Sequence, residues 1–164
     1  MLILEDGHMI GAVSGGCVEK EVVRQAQSVF ADDISKVMTY DGRYRLGCEG
    51  ILYILLEAFR PDKVFLETFE LTIASRHHFR IQSFFEKKEG SNANYGSMVI
   101  FGQEQLPLLP GFHTQEKLEV FEQGMKTCFK LFIIGAEHDS VQLCNFAAMA
   151  GWEVTIVADP SEEK

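Results

Sequence analysis

Residues 129–157 leave the chain the fewest options. Phe129–Ile134 is an apolar run of strand length, and Gly135-Ala136-Glu137-His138-Asp139-Ser140 makes a glycine-led turn. Val141–Ala150 has a helical pattern, and Val154–Val157 is a second apolar run. Strands this apolar belong in a sheet covered on its faces, and a helix between them is the crossover that parallel pairing needs. The right-handed strand–helix–strand unit that results is the opening of a doubly wound, Rossmann-like sheet. One helix on two strands leaves sheet edges and a face uncovered. Residues 128–164 are therefore expected to hold only the start of such a domain, or to borrow strands from a further copy of the chain. Assembly as a homodimer or larger homo-oligomer follows as an expectation.

Upstream the pattern differs. Leu2–Glu5 and His8–Val13 flank Asp6-Gly7, a short hairpin signal. Opening on a strand suggests that the N-terminal boundary cuts into a domain whose first strands are missing. Val18, Val22, Ala26, Val29 and Phe30 recur with helical period behind Ser14-Gly15-Gly16, where a cap belongs. Val37–Tyr40 reads as a strand, and Ile51–Phe59 as one buried on both faces. Pro61-Asp62 opens a helix to about Ser75, and His77–Phe85 and Ser97–Phe101 read as strands joined by a polar loop. Residues 1–102 are thus expected to form an α+β domain with a mixed sheet. Pro107, Pro110 and Gly111 mark residues 103–127 as linker, with a short helix carrying Leu118, Phe121 and Met125. The fold class is α/β.

Composition excludes several roles. Hydrophobic residues are 46% of the chain, enough to bury a core, and 15 basic against 24 acidic residues leave a net charge of −9. That surplus repels a phosphate backbone, so no nucleic-acid partner is expected. No stretch reaches the ~18 apolar residues needed to cross a bilayer. The first ten residues carry acids where an export signal needs bases. The reading is cytoplasmic, with four cysteines kept as thiols rather than as a disulfide framework.

Two cysteines are flanked by glycine. In Ser14-Gly15-Gly16-Cys17-Val18-Glu19, Cys17 falls in the first helical turn, where free N–H groups and the helix dipole favour a thiolate and can hold a phosphate. In Leu46-Gly47-Cys48-Glu49-Gly50, Cys48 stands at the mouth of the Ile51 strand. Each also fits a buried structural thiol, and neither has a partner at zinc-finger spacing. In the C-terminal turn Gly135 takes the first position of a dinucleotide fingerprint and Asp159 lies near the ribose-binding position. His138 follows in the same turn. Glu137 replaces the second glycine and brings a carboxylate towards an anion, so binding of NAD(P) is not expected. Cys128, at a strand start, and Cys144, on the helix, read as structural.

These motifs resemble the xanthine dehydrogenase accessory factor family, XdhC/CoxI. Asp6-Gly7 through Ala26, including Gly15, Gly16, Cys17 and Glu19, is similar to its N-terminal signature. Arg45-Leu46-Gly47-Cys48-Glu49-Gly50, then Ile51–Leu56 and Glu57, is similar to its second. Gly135-Ala136-Glu137-His138 and Val154–Asp159 are similar to the opening of its Rossmann domain. Arg45, Glu49 and Glu137 each replace a family glycine, and Ala158 and Pro160 alter the acidic strand end. The family's upstream Ser/Pro/Arg segment and most of its Rossmann sheet have no counterpart here, as expected of a fragment or a divergent relative.

The resemblance implies a maturation chaperone rather than a catalyst. Such a protein binds the molybdenum cofactor and hands it to a xanthine dehydrogenase-type molybdenum hydroxylase, with a cysteine desulfurase or sulfurase as a further partner. It implies Gly15, Gly16, Cys17, Glu19, Gly47, Cys48 and Gly50 as cofactor-binding residues, with Cys17 and Cys48 as soft thiolates for molybdenum. Two other readings stay open. The C-terminal unit could serve a nicotinamide-dependent oxidoreductase through Gly135, His138 and Asp159, or the chain could be a non-binding scaffold that drives oligomerisation.

Overall fold

The computed structural model describes residues 1–14, 16–43, 50–114 and 117–159, with the backbone but not the side chain of Cys17. The chain divides into two units, Met1–Met125 and Lys126–Lys164. Both are α/β in composition, as the sequence implies, and within the first unit every strand pairing is antiparallel.

The first unit opens with a hairpin of β1 (Leu2–Ile3) and β2 (Met9–Ile10). Its turn is one residue longer than Asp6-Gly7 alone suggests. Gly7 N–H donates to the Leu4 carbonyl at 2.9 Å and Leu4 N–H to that of His8 at 2.8 Å. Gly7 then takes φ +88°, the left-handed residue that closes a three-residue loop. Helix α1 (Cys17–Asp32) follows and reverses through residues 33–35 into β3 (Lys36–Asp41). β3 pairs with β4 (Ile51–Leu56) along its whole length, and β6 (Gly90–Ser91) adds a short strand on its other side. Val18, Val22 and Val29 of α1 pack on Met38 and Leu56, all nearly excluded from solvent. β4 is an edge strand, with Ile51, Leu52 and Tyr53 exposed. Its apolar run is therefore buried at one end only, not on both faces as the sequence suggests.

The second layer of this unit carries α2 (Lys63–Ala74), capped by the Asp62 carboxylate, which accepts the Phe65 N–H at 2.8 Å. Its sheet has the order β8–β7–β5–β9, with β5 at Phe79–Phe85 and β7 at Gly96–Phe101. Phe65 and Phe69 meet Phe79 and Phe101 edge-on, with centroids 5.6 Å apart for Phe65–Phe101 and 5.7 Å for Phe69–Phe79.

Residues 103–125 correct the sequence reading. They are not a linker with a helix but contain two strands, β8 (Glu104–Pro107) and β9 (Glu119–Met125), that complete the second sheet. Gly102 takes φ +63° at the first position of a two-residue turn, the left-handed start that such a hairpin requires. Pro107 falls at the end of an edge strand, where the missing N–H costs no ladder bond. Leu118, Phe121 and Met125 have helical spacing, but seven rungs of pairing with β5 outweigh that local preference.

The second unit is β10 (Lys130–Ile134), α3 (His138–Met149) and β11 (Glu153–Val157), with the strands parallel in register from Lys130↔Glu153 to Ile134↔Val157. Among the described residues these strands pair only with each other.

Candidate functional site

The entry to α1 is built around a carboxylate. Gly16 is the N-cap with φ +110° and offers no side-chain cap, so the first-turn N–H groups have no Ser14 hydroxyl over them. Among the described residues nothing lies within 4 Å of a Cβ built on Gly16. Glu19, the third helical residue, turns back over the preceding loop. Its Oε1 accepts the N–H groups of Val13 at 3.0 Å and Ser14 at 2.6 Å, and its Oε2 accepts the Ser14 hydroxyl at 3.1 Å. The side chain is buried, yet the Ser14 N–H outweighs burial and, with the other donors, holds the carboxyl at a pKa of about 2. This is the returning half of a capping box, aimed further back along the chain than usual. Ser14 thus donates rather than caps, and Glu19 shapes the loop in front of Cys17.

The other predicted residues fall at different places. Gly50 takes φ +119° at the start of β4, and its carbonyl accepts the Gly42 N–H at 3.0 Å. Gly15, Gly47 and Cys48, like the Cys17 side chain, lie outside the described residues. Because α1 reverses into β3 and β3 pairs antiparallel with β4, Gly16, Asp41 and Gly50 all lie at one end of this layer. In the second unit Gly135 takes φ +114°, and its N–H donates to the Val157 carbonyl at 2.8 Å. Glu137 is the N-cap of α3, and its side chain makes no cap hydrogen bond. His138 is the first residue of α3, and both it and Asp159, beyond β11, are exposed. Cys128 precedes β10 and is exposed, and Cys144 is half-buried. Among the described residues no three His, Cys, Asp or Glu side chains gather as a metal site.

The acid at the far end of β4, Glu57, closes the second sequence signature but is not among the residues that the sequence marks for the site. Seven residues of strand, about 3.3 Å each, put Glu57 roughly 20 Å from Gly50. The Ser97 hydroxyl on β7 donates to its Oε1 at 2.5 Å, and Ser97 also shares a 2.7 Å hydrogen bond with Ser83 on β5. Burial is the largest influence on Glu57 and raises its pKa to about 7, against the opposing hydroxyl and N–H of Ser97. Glu57 and Asp33 both border a cleft of about 650 Å³ and a smaller cavity of about 230 Å³. The signal available in the sequence was a single acid ending an apolar run, Ile51–Leu56, which does not by itself distinguish a strand end from a site.

Fold and site together define a two-unit α/β protein in which a glycine-entered, carboxylate-braced helix precedes a dinucleotide-type strand–helix–strand unit. The sequence model of the XdhC and CoxI family matches residues 1–41 of the chain. The chain is 26% identical over 175 aligned positions to a Bacillus subtilis (strain 168) protein described as a probable subunit of xanthine dehydrogenase. That alignment covers 95% of this chain and 52% of the relative, so the chain spans about half of the relative's length. The fold is also that of a crystal structure of a xanthine dehydrogenase from Bacillus halodurans, with a TM-score of 0.71 and 20% identity. The match covers 94% of this chain and 51% of that one. No helix among the described residues is long and apolar enough to cross a membrane.

Proposed function

We propose that the chain is an accessory factor of a xanthine dehydrogenase-type molybdenum hydroxylase, a chaperone that holds the molybdenum cofactor without turning it over. The observation that carries this reading is the Glu19 brace. An ionised, buried carboxylate fixes the loop that delivers Gly16 and the helix N-terminus at Cys17, although Glu19 itself is spent on Val13 and Ser14. No described residue would crowd a Cβ on Gly16, which suits close approach of a ligand to the backbone. The cofactor, when bound, supplies a thiophilic metal and a phosphate. Cys17 and Cys48 are the residues proposed to meet the metal, with Gly15, Gly16, Gly47 and Gly50 lining the approach. The helix N-terminus would receive the phosphate. The proposed partners are the hydroxylase and a cysteine desulfurase or sulfurase, with the chain working as a homodimer.

The test is retention of released cofactor after desalting, read as molybdenum by mass spectrometry and as oxidised pterin by fluorescence. Near-stoichiometric metal and pterin in the parent chain, lost in Cys17→Ala and Cys48→Ala, supports the reading. Background values in folded parent protein, or full retention in both variants, defeats it. Glu19→Gln is expected to lower retention with both thiols intact, because the loop loses its charged acceptor.

A further inference from the structure

The cleft beside Glu57 lies at the opposite end of the β3–β4 layer from Gly16 and Gly50, and the proposed function does not use it. Its apolar wall includes Leu4, Val29, Phe30, Leu56 and Phe59, and at about 650 Å³ it is within the usual range of small-molecule sites. The charged side chains on its wall are Glu5, Asp33, Glu57 and Arg60, and Met1, which carries the α-ammonium, lines it as well. Arg60 is already committed. Its Nε lies 2.9 Å from Asp33, and its guanidinium also lies 3.9 Å from Glu5.

Glu57 has no such partner. Among the described residues no cation is paired with it, and the groups that favour its charge, a hydroxyl and an N–H, both belong to Ser97. The groups around it from the neighbouring elements are Asp33 at the end of α1, Arg60 after β4, Ser97 on β7 and Tyr95 just before it. A ligand that brings its own positive charge would supply what Glu57 lacks.

We propose that this cleft binds a small apolar ligand carrying an amine or amidine cation, with Glu57 as its counter-ion. Binding leaves the ligand protonated and ionises Glu57, whose proton passes to solvent. No bond is made or broken. Ionised Glu57 next to a cation in an apolar wall is a stronger pair than either group has in water.

The probe is benzamidinium, a flat apolar amidine cation, titrated into the full chain by calorimetry, with benzoate and benzyl alcohol as controls. Saturable binding of benzamidinium at millimolar concentration or below is expected, with neither control matching it. Glu57 has a pKa of about 7, so binding should be about tenfold tighter at pH 8 than at pH 6, following its ionised fraction. Near pH 7 the heat should change with the ionisation enthalpy of the buffer, reporting the released proton. Glu57→Gln should weaken binding by at least about tenfold and remove both the pH dependence and the proton release.

Amide shifts in the unmodified protein give a second readout that does not depend on the variant folding. Saturating changes confined to Leu55–Phe59 and neighbouring cleft residues support the site. Absence of saturable binding, equal binding of benzoate, unchanged affinity in folded Glu57→Gln, or shifts located elsewhere would overturn it.

Discussion

Glu19 and Glu57 are the same residue type in opposite environments, and the difference is the number and kind of donors each meets. Glu19 accepts backbone N–H groups in a tight loop and is held at about 2. A group whose folded pKa lies below its ordinary value stabilises the fold above that ordinary value and loses the contribution as pH falls. The stability gap between parent chain and Glu19→Gln should therefore be constant above about pH 5 and close between about 4.5 and 2, as followed by denaturant titrations across pH. A gap that persists unchanged at pH 2 would show that the loop does not depend on the charge.

Glu57 works the other way. Its pKa is raised, so the native state favours the protonated form and is most stabilised by it below about 4.5. That contribution fades as pH rises through about 7, by roughly 3 kcal/mol in all. Glu57→Gln should flatten the fall in stability between these limits, and a parent-like slope in the variant would refute the assignment. In the sequence Glu19 stands out within the Ser14–Glu19 motif, whereas Glu57 only closes the second signature. The hydroxyl that meets Glu57 comes from β7, forty residues further on.

At the scale of elements, the second sheet of the first unit depends on close approach at Gly96. A Cβ there would lie 2.7 Å from the Phe112 ring, which in turn packs on Phe84 at 6.1 Å between centroids. Gly96→Ala should cost ~1–3 kcal/mol by overpacking. Phe65→Ala, which removes the ring joining α2 to Phe101, should cost ~3–5 kcal/mol. Both should appear in urea as a lower midpoint with unchanged slope. A parent-like midpoint in Phe65→Ala would mean that α2 does not anchor this core. The helix α2 and its Asp62 cap were legible because cap and period are local. β8 and β9 were not, since Pro107 and the spacing of Leu118, Phe121 and Met125 argue locally against strands that only β7 and β5 impose.

For the whole molecule, the open question is what covers the second unit. Ile134 is 88% exposed and Met149 85% exposed, with Phe129, Phe132 and Phe146 also largely bare. A parallel pair with one helix buries only part of its apolar surface, and patches of this kind favour association. Light scattering is expected to give a mass above the 18.5 kDa of one chain. Phe146→Lys should lower it, and a monomer in both proteins would remove the argument for a homodimer.

The sequence by itself determined what neighbours along the chain decide: the Gly7 hairpin, the Gly16 entry, the Asp62 cap and the order strand, turn, helix, strand from Phe129 to Val157. These depend on φ preferences, capping groups and periodicity within a few residues. Only the tertiary structure decided that 103–125 joins a sheet, that β4 lies at an edge, and that Glu57 meets Ser97 beside a cleft. Ladder pairing and desolvation depend on partners tens of residues away, and no local pattern encodes which partner arrives.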